Sequence, residues 1–120
     1  MDKRKCPRFV VRFRSSFSTI NVIGGEGNVV DLSIRGCRVA SLTDVQPGAS
    51  LDVLIETEDH EPPLRIQQAI VRWSRVKEFG LEFVTMAPEE WARLQHVVKR
   101  IEMEPYQRQE EEEQSLTRSA

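Results

Sequence analysis

The sequence predicts an all-β domain closed by one C-terminal helix. Three observations predict it. About six short segments between residues 9 and 85 alternate apolar and polar side chains with a period of two. Glycine- and proline-rich turns separate them. After Pro88 the apolar spacing changes to that of a helix. Short strands joined by turns argue for a β-sandwich or a small barrel. The 120 residues suit a single domain with a modest core, and 39% hydrophobic and 30% charged residues place it among soluble globular chains.

From Phe9 the chain alternates. Phe9, Val11, Phe13 and Phe17 share one face, and Arg12, Arg14, Ser16 and Ser18 the other, as in a half-buried strand that is long or bulged. Gly24, Gly25 and Gly27 supply permissive backbone for a turn. Segments 28–32 and 37–41 read as the second and third strands, with a polar turn from Ser33 to Gly36 between them. Pro47-Gly48 marks another turn. Leu51, Val53 and Ile55 form the inward face of a fourth strand. A polar loop with two prolines, 58–63, leads to a fifth strand over 66–73, in which Ala69, Val71 and Trp73 are expected on one face. Phe79, Leu81 and Phe83 complete the sixth.

Pro88 suits a first helical turn, where its missing N–H would be unpaired anyway. Glu89 and Glu90 complement the positive end of the helix dipole. Trp91, Leu94, Val97 or Val98, and Ile101 recur at helical spacing and form a stripe that must pack on the barrel or on a partner. The expected plan is one domain over 1–104: a basic arm 1–8, strands over about 9–85 and a helix over about 88–103. Pro105 limits the helix, and the glutamate-rich tail 105–120 is expected to be disordered, with a partial helical extension as the alternative.

The net charge of −2 hides an asymmetry. Lys3, Arg4, Lys5, Arg8, Arg12 and Arg14 crowd the start, and Glu102, Glu104 and the run 110–113 crowd the end. A basic arm on a near-neutral chain points to a local anionic ligand rather than to a whole surface for nucleic acid or membrane. No segment approaches a transmembrane helix, and no apolar signal core follows the basic start, so a cytoplasmic location without membrane insertion is expected. Cys6 and Cys37 have neither a metal nor a redox spacing and read as unpaired thiols.

Two clusters carry chemistry. One is the pair Arg4 and Arg8, four apart on the arm, with Pro7 between them. Guanidinium forks grip phosphate oxygens and stack on purine faces. The other is Asp31-Leu32-Ser33-Ile34-Arg35-Gly36. Asp31 can accept from the N–H edge of guanine, Ser33 can donate or accept, and Gly36 permits a left-handed turn or a close backbone approach. Alone, each cluster is ordinarily a solvated arm or a hydrogen-bonded turn. In order, separated by a strand and its hairpin partner, they suit a guanine nucleotide with several phosphate oxygens.

This pattern resembles the PilZ family of cyclic di-GMP receptors, whose signature is Arg-x-x-x-Arg followed some twenty to thirty residues later by Asp/Asn-x-Ser-x-x-Gly. Here Arg4 and Arg8, then Asp31, Ser33 and Gly36, match it. Val71-Arg72-Trp73 and Phe79-Gly80-Leu81-Glu82-Phe83 also resemble the closing strands of such domains. The resemblance implies a six-stranded antiparallel β-barrel with a C-terminal helix. It implies that Arg4 and Arg8 contact phosphate and guanine, that Asp31 and Ser33 line the guanine site, and that Gly36 shapes the turn. Family members that bind a stacked ligand dimer often carry a further arginine directly before the motif. Lys3 occupies that place and keeps the charge without the planar stacking surface. Cyclic di-GMP is the implied ligand, with no cofactor, and an unidentified downstream protein is the expected partner.

Other classes fit less well. His60 and His96 are too isolated for a catalytic or zinc site, Ser33 has no local base, and no phosphate loop is present, so an enzyme is not expected. The aromatic residues Phe9, Phe13, Phe17, Trp73, Phe79 and Phe83 fit buried faces rather than an exposed stacking platform, so DNA or RNA binding is not expected. A PilZ-like module that binds protein and no nucleotide remains the alternative.

Overall fold

The computed structural model describes residues 7–19, 24–57 and 62–118, with side chains through Met103. Six strands, β1 (Phe9–Ser18), β2 (Gly25–Leu32), β3 (Gly36–Ala40), β4 (Ser50–Ile55), β5 (Leu64–Arg75) and β6 (Glu78–Thr85), precede one helix, α1 (Pro88–Arg118). The strands close into a barrel in the order β1-β2-β3-β6-β5-β4, and every neighbouring pair is antiparallel. The six-stranded antiparallel barrel with a C-terminal helix is therefore as expected. Closure depends on β1. It pairs with β2 from Phe9 to Phe17 and with β4 over Ser15 to Ser18, so neither strand is left as an open edge.

Alternate residues of each strand fill the interior, as a barrel this narrow requires. Phe13 and Phe17 from β1 meet Val29 and Leu32, Val39, Val53 and Ile55, Ile66 and Val71, and Phe79 and Leu81 in one core. The Phe17 and Phe79 rings meet edge to face, 5.2 Å apart at 84°. The Phe17 ring also lies so close to Gly25 that a Cβ there would sit 2.4 Å from it.

Bulges break the alternation at two places that matter. On β2, Val29 pairs with Val39 but Asp31 pairs with Arg38, so Val30 is an extra residue. Val29 and Leu32 are both buried as a result, and Asp31 turns outward. On β5, Val71 pairs with Leu81 but Trp73 pairs with Gly80, so Arg72 is extra. A slip of one residue moves a side chain to the other face. Trp73 was expected beside Ala69 and Val71 in the core. It is instead half-buried on the outside, with its indole across Gly80. Phe9 is likewise only half-buried, because β1 slips against β2 between Val10 and Phe13.

The helix begins as the sequence implied. The Ala87 carbonyl accepts from Glu90 N and Trp91 N, at 2.9 and 3.0 Å. Leu94 and Val97 are buried, with Trp91, Val98 and Ile101 packed beside them. Burying a side chain such as Leu94 contributes about 1.5–3 kcal/mol. Glu90 accepts from the Arg65 backbone N–H at 3.2 Å and from Arg93, which also reaches the Pro63 carbonyl, so the first turns are tied to the start of β5. One expectation is corrected. The helix does not stop near residue 103. It continues through Pro105 to Arg118, where glutamate, glutamine and arginine, all good helix formers, dominate the sequence.

Candidate functional site

The bulged residues create a site on the outer face of the barrel. Across the sheet, Asp31 on β2 pairs with Arg38 on β3, Arg38 pairs with Gly80 on β6, and Gly80 pairs with Trp73 on β5. These four positions form one outward row. A cleft of about 530 Å³ lies along it, bounded also by Arg8, Arg35, Arg72 and Glu82. Four arginines against two carboxylates make it a cationic cleft with one aromatic wall, a size and chemistry suited to an anionic ligand that carries a flat ring.

Arg8 sits just before β1 and reaches back over β2. Its Nη1 donates to Asp31 Oδ1 at 2.9 Å. Asp31 Oδ2 lies 3.2 Å from Arg38 Nε, and Arg38 Nη1 lies 3.9 Å from Glu78. The Asp31 side chain is 16% exposed and Arg8 41%, so the pair is open to water at one edge and to a competing ligand. At the far wall Arg72 pairs with Glu82, and the Arg75 guanidinium lies 5.2 Å from the Trp73 ring centroid.

The turn after β2 is braced by Ser33. Its buried hydroxyl accepts from Arg35 N and Gly36 N, both at 3.2 Å, and donates to the Gly36 carbonyl at 3.3 Å. The Ser33 N–H reaches the same carbonyl at 2.8 Å. Gly36 has no left-handed backbone; the reason for glycine is close approach. A Cβ there would sit 2.1 Å from the Leu81 carbonyl oxygen on β6. Cys37 follows at the floor of the cleft. Burial pushes its thiol pKa up, the Asp31 charge adds to the rise, and Arg8 opposes it.

Arg8, Asp31 and Gly36 thus come together at one cleft. Ser33 does not line it; the hydroxyl expected there bonds inside its own turn, to the Arg35 and Gly36 backbone. Arg4, Lys3, Cys6 and His60 lie outside the described residues. His96 is exposed on α1. Trp73 and Arg38 were missed. Gly80 was the available signal for Trp73, since glycine within a strand often marks a close neighbour. For Arg38 the signal was its outward place between the inward Cys37 and Val39.

A larger groove of about 920 Å³ opens elsewhere on the barrel. Arg14 and Lys77 alternate there with Glu26 and Glu56, and no aromatic side chain borders it. Mixed charge without a flat wall makes it the weaker candidate. Among the described residues there is no cluster able to hold a metal ion, and no helix is long and apolar enough to cross a membrane.

A closed six-stranded antiparallel barrel with a C-terminal helix thus carries an arginine-rich cleft beside its β2–β3 turn. Residues 2–100 match the PilZ domain, and the chain belongs to that family. Similar solved structures include the PilZ domain with c-di-GMP of YcgR from Escherichia coli, 13% identical, with a TM-score of 0.71 over 91% of this chain and 98% of that one. YcgR in complex with c-di-GMP from Escherichia coli is 14% identical, with a TM-score of 0.71 over 91% of this chain and 50% of that one. The Bacillus subtilis inhibitor of motility (MotI/DgrA) is 20% identical, with a TM-score of 0.65 over 83% of this chain and 51% of that one. At such identities the likeness is one of fold. The chain spans about half the length of these last two proteins. No curated protein matches the sequence.

Proposed function

We propose that the chain is a cyclic di-GMP receptor of the cytoplasm that passes its signal to a partner protein. One observation carries the reading: Arg8 from the first motif and Asp31 from the second meet at 2.9 Å on the edge of a cationic cleft. Membership of the PilZ family and the c-di-GMP-bound YcgR structures of the same fold support it. In this reading the ligand exchanges Arg8 from Asp31 to a phosphate, and Asp31 then accepts from the guanine N–H edge. Arg4 adds a second fork and Lys3 a point charge from the arm, which orders over the ligand. The turn braced by Ser33 and the close approach at Gly36 hold Asp31 in place, and the Trp73 indole offers a face for the base.

Calorimetric titration with cyclic di-GMP, with GTP and cyclic di-AMP as controls, tests this. Selective binding that Arg8→Ala abolishes is the expected result, and its stoichiometry reports what Lys3 does. Amide exchange in residues 1–14 that slows on ligand addition is expected for the arm. A folded protein that binds no cyclic di-GMP would overturn the reading. The second reading, a protein-interaction module without nucleotide, is favoured by one feature. Leu42 and Val76 are 86% and 87% exposed on adjoining turns, linked by a Ser41 N–H to Lys77 carbonyl bond of 3.0 Å.

A further inference from the structure

We infer that Arg38 is the second half of a guanine-reading pair, donating to the base O6 while Asp31 accepts from N1–H and the 2-amino group. The inference rests on the receptor reading above and deepens it. Arg38 lies outside both sequence motifs.

The geometry around Arg38 supports this. Its side chain leaves the outer face of β3 between the buried Cys37 and Val39, beside Asp31 on β2. Its Nε lies 3.2 Å from Asp31 Oδ2, close enough for an ion pair, yet makes no hydrogen bond, and it is a buried side-chain nitrogen without a hydrogen-bond partner among the described residues. Its Nη1 is 3.9 Å from Glu78 Oε2, beyond hydrogen-bond length. Two carboxylates therefore aim the guanidinium, and neither saturates it. Nε is shut in against Asp31, whereas the side chain as a whole is 43% exposed, so the Nη groups are the donors that an acceptor on a bound ligand can reach.

The order of the groups selects the base. Asp31 and Arg38, side by side, present two acceptor oxygens and then donors. The guanine edge presents the complement: the 2-amino donor, the N1–H donor and the O6 acceptor. Adenine places an amino donor where guanine has O6, so it meets the Arg38 donors with another donor. A carboxylate alone accepts from either base. Arg38 supplies the discrimination that Asp31 leaves incomplete, because a donor that the bound base covers and meets with another donor is left unpaired.

The test is calorimetry on the full chain and on Arg38→Met, which keeps an unbranched stem of similar length. Three ligands are used: cyclic di-GMP, cyclic di-AMP and cyclic di-IMP, whose hypoxanthine keeps O6 and N1–H but lacks the 2-amino group. Loss of a charged hydrogen bond predicts binding weaker by about tenfold or more. That loss should be the same for cyclic di-GMP and cyclic di-IMP, and the preference over cyclic di-AMP should shrink. Arg38→Lys, which retains charge and a donor, should recover part of the affinity and serves if the methionine variant does not fold. A loss below about threefold for cyclic di-GMP would overturn the assignment. So would a loss clearly smaller for cyclic di-IMP, since Arg38 would then act only by holding Asp31 against the 2-amino group. Failure of the unsubstituted protein to bind cyclic di-GMP would refute the receptor reading itself and this inference with it.

Discussion

Replacing Gly36 by alanine separates a structural requirement from a ligand contact. The added Cβ would stand 2.1 Å from the Leu81 carbonyl oxygen, whereas real Cβ atoms essentially never come within 3.0 Å of such an atom. The β3 and β6 backbones must therefore part by about 0.9 Å at the Gly36–Glu82 pair. Neither side can yield as a flexible side chain would. The opening strains the Phe83 N–H bond to the Arg35 carbonyl, now 2.7 Å, and the Ser33 turn beside it. Overpacking of this kind costs about 1–3 kcal/mol, and one weakened backbone hydrogen bond adds about 1 kcal/mol. The expected loss is then about 2–4 kcal/mol, a large part of the usual 5–15 kcal/mol of a domain, roughly. Urea unfolding followed by circular dichroism measures it. Gly48→Ala is the control: nothing lies within 4 Å of its Cβ, and its φ of +90° alone should cost about 1–2 kcal/mol. A Gly36→Ala midpoint within error of the parent protein would refute the close-approach argument.

Further outcomes follow from three particular side chains. Ser33→Ala should destabilise the fold by about 1–3 kcal/mol in the same urea assay, because it strands the Arg35 and Gly36 N–H groups; an unchanged midpoint would mean that water replaces the hydroxyl. Lys77 holds a φ of 68° without being glycine, so Lys77→Gly should stabilise the β5–β6 turn by up to about 1 kcal/mol, net of the greater freedom glycine has when unfolded, and a lower thermal midpoint would contradict this. Cys37, buried with a raised pKa, should resist iodoacetamide in the folded protein, as mass spectrometry of its peptide would show. Its contribution to stability is whole below the unfolded pKa, near 9.0. Above that pH the unfolded chain loses the thiol proton while the folded chain keeps it, so stability falls by about 1.4 kcal/mol per pH unit. Cys37→Ala should remove that part of the alkaline slope; an unchanged slope would refute it.

All six strands were legible in the chain, because a half-buried strand writes its burial as strict alternation and its ends as glycine and proline. The start of the helix was legible for a similar reason, in Pro88, the two glutamates after it and the stripe from Trp91 to Ile101. So were the residue types that meet at the cleft, since Arg8 and Asp31 announce themselves as a fork of donors and a carboxylate. Periodicity alone did not separate a closed barrel from a sandwich; that depended on β1 pairing with both β2 and β4, a matter of register between distant segments. Nor did it place Asp31 and Trp73 on the outer face. An unbroken alternation counted from Val29 turns Asp31 inward, and one counted from Val71 turns Trp73 inward. Single extra residues at Val30 and Arg72 reverse both, and a bulge shows only in which residue of one strand faces which of the next. Ser33, a polar residue in a turn, could serve a ligand or its own backbone. The three backbone hydrogen bonds of its hydroxyl, formed only once the turn closes, tie it to its own turn.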